Sequence, residues 1–481
     1  MPVRKSKGPS KKAKSRGARK PTGLEATLRP HAAGIDVHSR EHWVCVPESE
    51  TQKVDAPPPA GRLPVNVRKF GTCTVDLEQL ADWLDECSVK TVAMESTGVY
   101  WIPLFELLER RGFEVFLVDP RQTRQVAGRP KSDVHDCQWI RRLHACGLLA
   151  ASFRPADEVC VLRSYLRQRQ GHIADAGRSI QHMQKALQQM NVKLTEAVSD
   201  ITGATGTKII KAILGGMRDP RALAKFRDPQ CQQSEEQIAR ALQGNWRDEH
   251  LFALRQAFES YQFQRRQMAK CDEAIEKYLK TLEDKSGGEI LKPKRQKHRK
   301  ADSTALRFNA RQLLFQFSGA DLTVIEGIDL NTALPILAEI GTDMSKWATE
   351  KHFTSWLGLC PQHRGSARRI KDRRIRGGAN RASRAFRLAA QGCHHAKNAM
   401  GAFYRRIRAR AGGSKAVIAT ARKIACRVYR LLKYGEKYVR QEMHAYENAH
   451  RIKLTKGLAR KAAELGYKLV PTEAQLPVST A

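Results

Sequence analysis

Residues 89–119 read VKTVAMESTGVYWIPLFELLERRGFEVFLVD. The opening run, VKTVAME (89–95), predicts a buried strand that ends on an acid, Glu95. GVYWIPLFELLERRG (98–112) predicts a helix closed by Gly112. FEVFLVD (113–119) predicts a second strand, ended by Pro120. Strand, helix and strand in succession place this part of the chain in the α/β class. Upstream, GIDVHS (34–39) and HWVCVPE (42–48) are short strands, and VNVRKFGT (65–72) is a third. DAPPPAG (55–61) between them is a loop by composition. Thr74 is placed to cap a helix carrying Leu77, Leu80, Ala81 and Leu84. Downstream, SDVHDCQWIRRLHACG (132–147) predicts a helix capped by Ser132. The predicted order is β-β-β-α-β-α-β-α.

That order has a chemical consequence. Asp36 lies inside the first apolar strand, where an acid is costly without a partner. Glu95 ends another strand. Asp133 and Asp136 stand three apart on one helix and share a face. If the first and fourth strands are neighbours and the last helix crosses their ends, the four carboxylates meet. Converging carboxylates repel unless cations lie between them, and hard oxygen donors suit Mg²⁺ or Mn²⁺. Two such ions can clamp the attacking and leaving oxygens of a phosphodiester. Taken singly, each acid has an ordinary role open to it, such as first-turn placement at the helix dipole for Asp133. His38, Asp119 and His135 are read as supporting or structural.

The charge points to a polyanion. Of 481 residues, 85 are Lys or Arg and 49 Asp or Glu, a formal net charge of +36. Phosphate backbones are the commonest partner for such a chain. No apolar run is long enough to span a bilayer. Residues 1–27 read as a disordered basic arm without the apolar stretch of a signal peptide. Eleven cysteines, with no C-x-x-C pair, predict reduced thiols rather than a disulfide framework or zinc module. Reduced thiols point to a cytosol. His394-His395 reads as a solvated or phosphate-facing pair.

The middle of the chain changes in kind. Val159, Leu162, Leu166, Ile173, Ala176, Ile180, Met183, Leu187, Met190 and Leu194 keep a 3-4 spacing broken only by Arg169. A second series runs from Leu251 to Leu282, broken by Arg265 and Asp272. These predict two long helices, each roughly 50 Å, in an antiparallel coiled-coil hairpin. So long a stripe argues for dimer or tetramer contacts. KPKRQKHRK (292–300) lies in a basic linker. LTVIEGIDLNTALPILAEIG (322–341) predicts helix, Gly327 turn, helix, in the manner of a phosphate-meeting hairpin. PQHRGSARRIKDRRIRGGANRASRAFR (361–387) holds ten Arg or Lys and one acid, Asp372. It predicts phosphate contacts with little sequence content, through Arg364, Arg368, Arg369, Lys371, Arg373, Arg374, Arg376, Arg381 and Arg384. A helix, basic on one face, follows from about 414 to 440.

GIDVHS, AMESTGVYW (93–101) and KSDVHDCQWI (131–140) resemble the DEDD motifs of the RuvC-like transposases of the insertion-sequence 110 family, the bridge-RNA-guided recombinases, and in particular its 1111-type subgroup. MQKALQQMNVKLTEAVSDITGATG (183–206) and GNWRDEHLF (244–252) are similar to that family's helical middle. The segments at 322–341 and 355–390 are similar to its C-terminal transposase domain. The resemblance implies an α/β RNase H-like (RuvC-like) N-terminal domain, a coiled coil assembling dimers into a tetramer, and a mainly α C-terminal domain with a serine nucleophile. It implies catalytic roles for Asp36, Glu95, Asp133, Asp136 and Ser366, with Mg²⁺ (or Mn²⁺) on the carboxylates. It implies target and donor DNA as substrates and a structured non-coding guide RNA as partner. Family members often carry a Ser-Ser-Gly or Ser-Gly pair where this chain has Gly365-Ser366-Ala367, and Ser355 and Ser383 are the alternatives. A serine hydroxyl needs activation, which cationic neighbours can supply.

The expected division is arm 1–27, catalytic domain 28–153, coiled coil 154–284, basic linker 285–319, transposase domain 320–445 and tail 446–481. Two competing functions are a RuvC-like Holliday-junction-type endonuclease and a non-catalytic basic nucleic-acid-binding protein.

Overall fold

A computed structural model describes residues 27–51, 63–124, 132–229, 231–293, 304–361, 364–366, 369–372 and 381–470, the segments 364–366 and 369–372 by backbone alone. The expected arm and the Pro-rich loop at 55–61 lie outside the described residues, apart from residue 27. The chain divides into two compact units between Arg154 and Pro155.

The first unit is a mixed α/β layer structure. Its strands are β1 (Ala32–Val37), β2 (His42–Cys45), β3 (Val67–Phe70), β4 (Thr91–Glu95) and β5 (Glu114–Val118), in sheet order β3-β2-β1-β4-β5. β1 pairs antiparallel with β2 and parallel with β4, and β4 pairs parallel with β5. β1 is buried along its whole length, which fits a central strand covered on both faces. On one face, Ile35, Val37, Val92 and Met94 pack with the helices α1 (Thr74–Glu86) and α2 (Trp101–Arg110). The opposite face takes α3 (Asp133–Ala145), which packs with Ala93 and Val118 through Ile140 and Leu143.

Local chemistry sets the helix ends. α1 buries the expected Leu77, Leu80, Ala81 and Leu84. Its cap is Cys73, not Thr74, because the Asp76 carboxylate accepts from the Cys73 N–H at 3.0 Å. α2 is closed beyond Arg110 by Gly112 at φ +89°, a conformation glycine adopts without strain. Pro120 ends β5 and also opens a short helix, Pro120–Arg124.

In the second unit, α4 (Asp157–Gln189) and α5 (Ala204–Leu214) precede a second long helix, α6 (Asp248–Leu279). α4 and α6 run antiparallel. The Tyr278 hydroxyl donates to the Glu158 carbonyl at 3.0 Å, and the Ser179 and Ser260 hydroxyls meet at 3.0 Å. Two of the polar breaks in the apolar series find each other: Arg169 Nε donates to Asp272 Oδ1 at 2.5 Å, with the side chains 5 % and 3 % exposed. The first series outlasts its helix, because α4 stops at Gln189 and Leu194 starts a separate turn. The stripe also has more to pack on than its spacing suggested. Leu187, Leu254 and Phe258 share a core with Ile209, Ile213, Leu223 and Ile238 from the connection. That end of the stripe is covered within the chain.

The rest of the unit is mainly helical. α7 (Ala310–Ser318) occupies part of the expected linker, held by buried Leu314, Phe315 and Phe317. The expected helix–turn–helix at 322–341 has only a 3₁₀ turn, Leu322–Val324, before Gly327 and α8 (Leu330–Ile340). The span is too short for a helix because Gly327, at φ +88°, turns the chain against Ala389 and Cys393. α9 (Glu350–Trp356) precedes a hairpin of β6 (Arg364–Ser366) and β7 (Arg369–Asp372), followed by α10 (Arg381–Gly392) and α11 (Ala399–Ala411). The long helix expected at 414–440 is two helices, α12 (Gly413–Tyr434) and α13 (Glu436–Glu464), broken at Gly435 with φ +85°. α13 runs through the expected boundary at 445. Phe353, Phe386 and Tyr429 pack together from α9, α10 and α12. Arg430 ties α12 to Glu350 at 2.5 Å and to Glu442 at 2.6 Å. All eleven cysteines are free thiols. Among the described residues, no helix is long and apolar enough to cross a membrane.

Candidate active site

Side chains alternate across a strand, so Gly34 and Asp36 share one face of β1. That face meets α3. A Cβ on Gly34 would lie 2.2 Å from the Arg141 nitrogen and 2.5 Å from the Cys137 carbonyl, so only glycine lets the helix approach so closely. Asp36 lies two residues further along, on the side of the α3 N-terminus. It is 7 % exposed. In the parallel register Ile35 sits beside Met94, which puts Asp36 next to Glu95 on β4. Glu95 shares the α3-facing side with Ala93. Its oxygens accept from Thr97 at 3.4 Å and Thr123 at 3.3 Å.

α3 delivers two more carboxylates. Ser132 caps it as its sequence predicts, accepting from the His135 N–H at 3.3 Å, and its hydroxyl also meets His135 Nδ1 at 2.6 Å. Asp133 and Asp136 fall in the first turn. Burial pushes the Asp36 carboxyl above the ordinary aspartate range. The neighbouring charges of Asp136 and Glu95 push it the same way, while His38 opposes them. The acids of β1, β4 and α3 therefore act on one another.

His38 is closer to the centre than its sequence position suggested. Its Nε2 lies 3.1 Å from Asp36 Oδ2 and 3.6 Å from Asp133 Oδ1. Asp36, His38 and Asp133 form a group whose donor atoms all lie within 4.8 Å of one another. The signal was present in sequence as Asp-x-His at a strand end, but that spacing does not say which way a loop residue turns. Asp119 has a local role instead: its Oδ1 accepts from the Arg121 N–H at 2.9 Å. The carboxylate oxygens of this group suit a hard divalent cation, one of them on a buried side chain whose charge its surroundings disfavour, while Glu95 and Asp136 fall outside the group and act on Asp36 through their charge.

The serine and the basic strip lie in the second unit. Ser366 pairs with Arg369 across the β6–β7 hairpin, and Arg364 pairs with Asp372. Lys371 belongs to the same hairpin. Arg368, Arg373, Arg374 and Arg376 lie outside the described residues. Arg381 and Arg384 are exposed on α10. Of the alternative serines, Ser355 is exposed on α9 and Ser383 is buried. His394 and His395 contact each other at 3.1 Å beside Arg408. Trp356 packs on Trp347 and Phe353, and Trp101 packs on Phe105.

Residues 33–192 match the family model of the DEDD-type transposases of insertion sequence 110. Residues 320–405 match the model described as transposase, IS116/IS110/IS902 family. Together they span just over half of the 481 residues. No curated protein matches the chain.

Proposed function

We propose that this chain, which belongs to the IS110 transposase family, cleaves and exchanges DNA strands at sites chosen by a structured non-coding RNA. Asp36, Glu95, Asp133 and Asp136 hold the divalent cation in an RNase H-like first unit, and Ser366 is the nucleophile. The sheet order β3-β2-β1-β4-β5, with β2 alone antiparallel to the others and α3 on the face that carries Asp36 and Glu95, supports that fold assignment. The observation that carries the functional reading is the buried Asp36, set among Asp133, Asp136 and Glu95 in a chain of net charge +36. A protein that only bound phosphates would gain nothing from converging acids.

A bound Mg²⁺ or Mn²⁺ supplies Lewis-acid stabilisation at the scissile phosphate. The chain's own residues do the rest. The carboxylates would hold that cation, and the sheet and α3 keep them rigidly in place. The Ser366 oxygen attacks phosphorus and loses its proton, and the bond to the leaving DNA oxygen breaks to free a hydroxyl. The phosphoserine link conserves the phosphodiester, so attack by a second DNA hydroxyl reverses the step without a nucleotide cofactor. Arg381 and Arg384 are exposed near the hairpin in sequence and suit backbone phosphates. Assembly of dimers into a tetramer, with the two long helices as a coiled coil, is the expected architecture.

The test uses DNA carrying the junctions that flank the gene. Denaturing gels should show a protein-linked DNA band in wild type and none in Ser366→Ala. Cleavage at full rate by Ser366→Ala would replace the serine with a metal-activated water, as in a junction endonuclease.

A further inference from the structure

We infer that the His38 imidazole is itself a ligand of the cation held by Asp36 and Asp133, and that its nitrogen makes the site prefer Mn²⁺ over Mg²⁺. The inference rests on the carboxylate site proposed above and adds a residue to it.

His38 follows the last residue of β1. Its backbone N–H donates to the Glu41 carbonyl at 3.2 Å, closing the β1–β2 turn. The ring returns over the end of β1. There Nε2 faces two carboxylates from different elements, Asp36 of the strand at 3.1 Å and Asp133 of the helix at 3.6 Å. A plain His–Asp hydrogen bond accounts for the first distance only. The second is too long for a good hydrogen bond, yet all three donor atoms remain within 4.8 Å of one another. Three donors around one point, two oxygens and a nitrogen, are arranged like one facial set of a coordination shell. The ring is 42 % exposed, so ions and water reach it from outside, while Asp36 anchors the inner side.

The donor chemistry gives the selectivity. Mg²⁺ keeps oxygen ligands and dehydrates reluctantly. Imidazole nitrogen favours first-row transition ions, and Mn²⁺ accepts a mixed oxygen and nitrogen set. A site of acids alone leaves little to separate the two ions. Adding His38 favours Mn²⁺.

The experiment takes the full-length protein with MnCl₂ or MgCl₂ alone, without nucleic acid. Pulsed electron paramagnetic resonance of the Mn²⁺ complex should show nitrogen hyperfine coupling, shifted when histidine is labelled with ¹⁵N and absent in His38→Ala. In His38→Ala, Mn²⁺ affinity should fall by about tenfold or more, and Mg²⁺ affinity should change less. Wild type without nitrogen coupling, or coupling that persists in His38→Ala, overturns the inference even if Mn²⁺ still binds. So does an affinity loss without coupling, which would make His38 only a hydrogen-bond partner of Asp36. The Asp36→Asn variant separates the two levels. Loss of Mn²⁺ binding is expected, and retained binding would overturn the carboxylate site together with the inference.

Discussion

Replacing Gly34 by alanine adds one methyl group at the contact that holds the candidate site together. The new Cβ would lie 2.2 Å from the Arg141 nitrogen, 2.5 Å from the Cys137 carbonyl and 2.7 Å from the Arg141 Cα. All three are backbone atoms of α3, so no side-chain rotation relieves the clash. Ordinary van der Waals contact begins at 3.4 Å. The helix must therefore retreat by about 1.2 Å, taking the nearest contact from 2.2 Å to 3.4 Å. Such overpacking costs about 1–3 kcal/mol, against a small gain in strand propensity. The functional effect is larger, because the first turn of the displaced helix carries Asp133 and Asp136. A misplacement of about 1 Å at a reacting centre costs on the order of a hundredfold in rate. Urea unfolding gives the stability change, and single-turnover cleavage of junction DNA gives the rate. A Gly34→Ala protein with wild-type stability and wild-type cleavage would refute the packing argument and the placement of the acids on α3.

Asp272→Ala leaves the Arg169 guanidinium buried without its carboxylate and should cost about 3–5 kcal/mol in denaturant unfolding. Adding Arg169→Met should recover most of that loss; if the double variant is no more stable than the single, the pair is not what Arg169 needs. Gly171 faces open space within α4, so Gly171→Ala should stabilise by about 0.5–1 kcal/mol, and a destabilised variant would contradict its placement. Burial, aided by Arg29, pushes His144 down to about 4 from its ordinary 6.5. The unfolded chain then binds the proton more readily, so stability present above pH 6.5 is lost as the pH falls toward 4. His144→Gln should flatten that fall, and an unchanged pH profile between 7 and 4.5 would count against a buried neutral ring.

The sequence carried the order of the first unit because each of its elements has its own local signal. An apolar run holding Asp36 marks β1, one ending on Glu95 marks β4, and Ser132 and Gly112 mark helix ends. Asp36 and Glu95 stood out as acids in apolar strands, a placement local patterning seldom tolerates. His38 did not, because its position depends on the turn closed by Glu41 rather than on spacing. Arg169 and Asp272 looked like two defects in separate stripes, and only the antiparallel register shows them as one ion pair. Periodicity also ran past helix ends it cannot see. Leu194 keeps the spacing beyond the stop at Gln189, and the break at Gly435 is a single residue inside a long basic pattern. Inside the expected linker, Leu314, Phe315 and Phe317 were outweighed by the basic run before them.

The acids of β1, β4 and α3 are proposed to serve one cation at the scissile phosphodiester. The direct measurement is cleavage of labelled junction DNA, with its guide RNA, titrated with Mg²⁺ or Mn²⁺. Wild type should cut only with the cation, and Asp36→Asn should not cut at any cation concentration while still binding the DNA. Cation-independent cutting, or undiminished cutting by Asp36→Asn, would contradict that proposal.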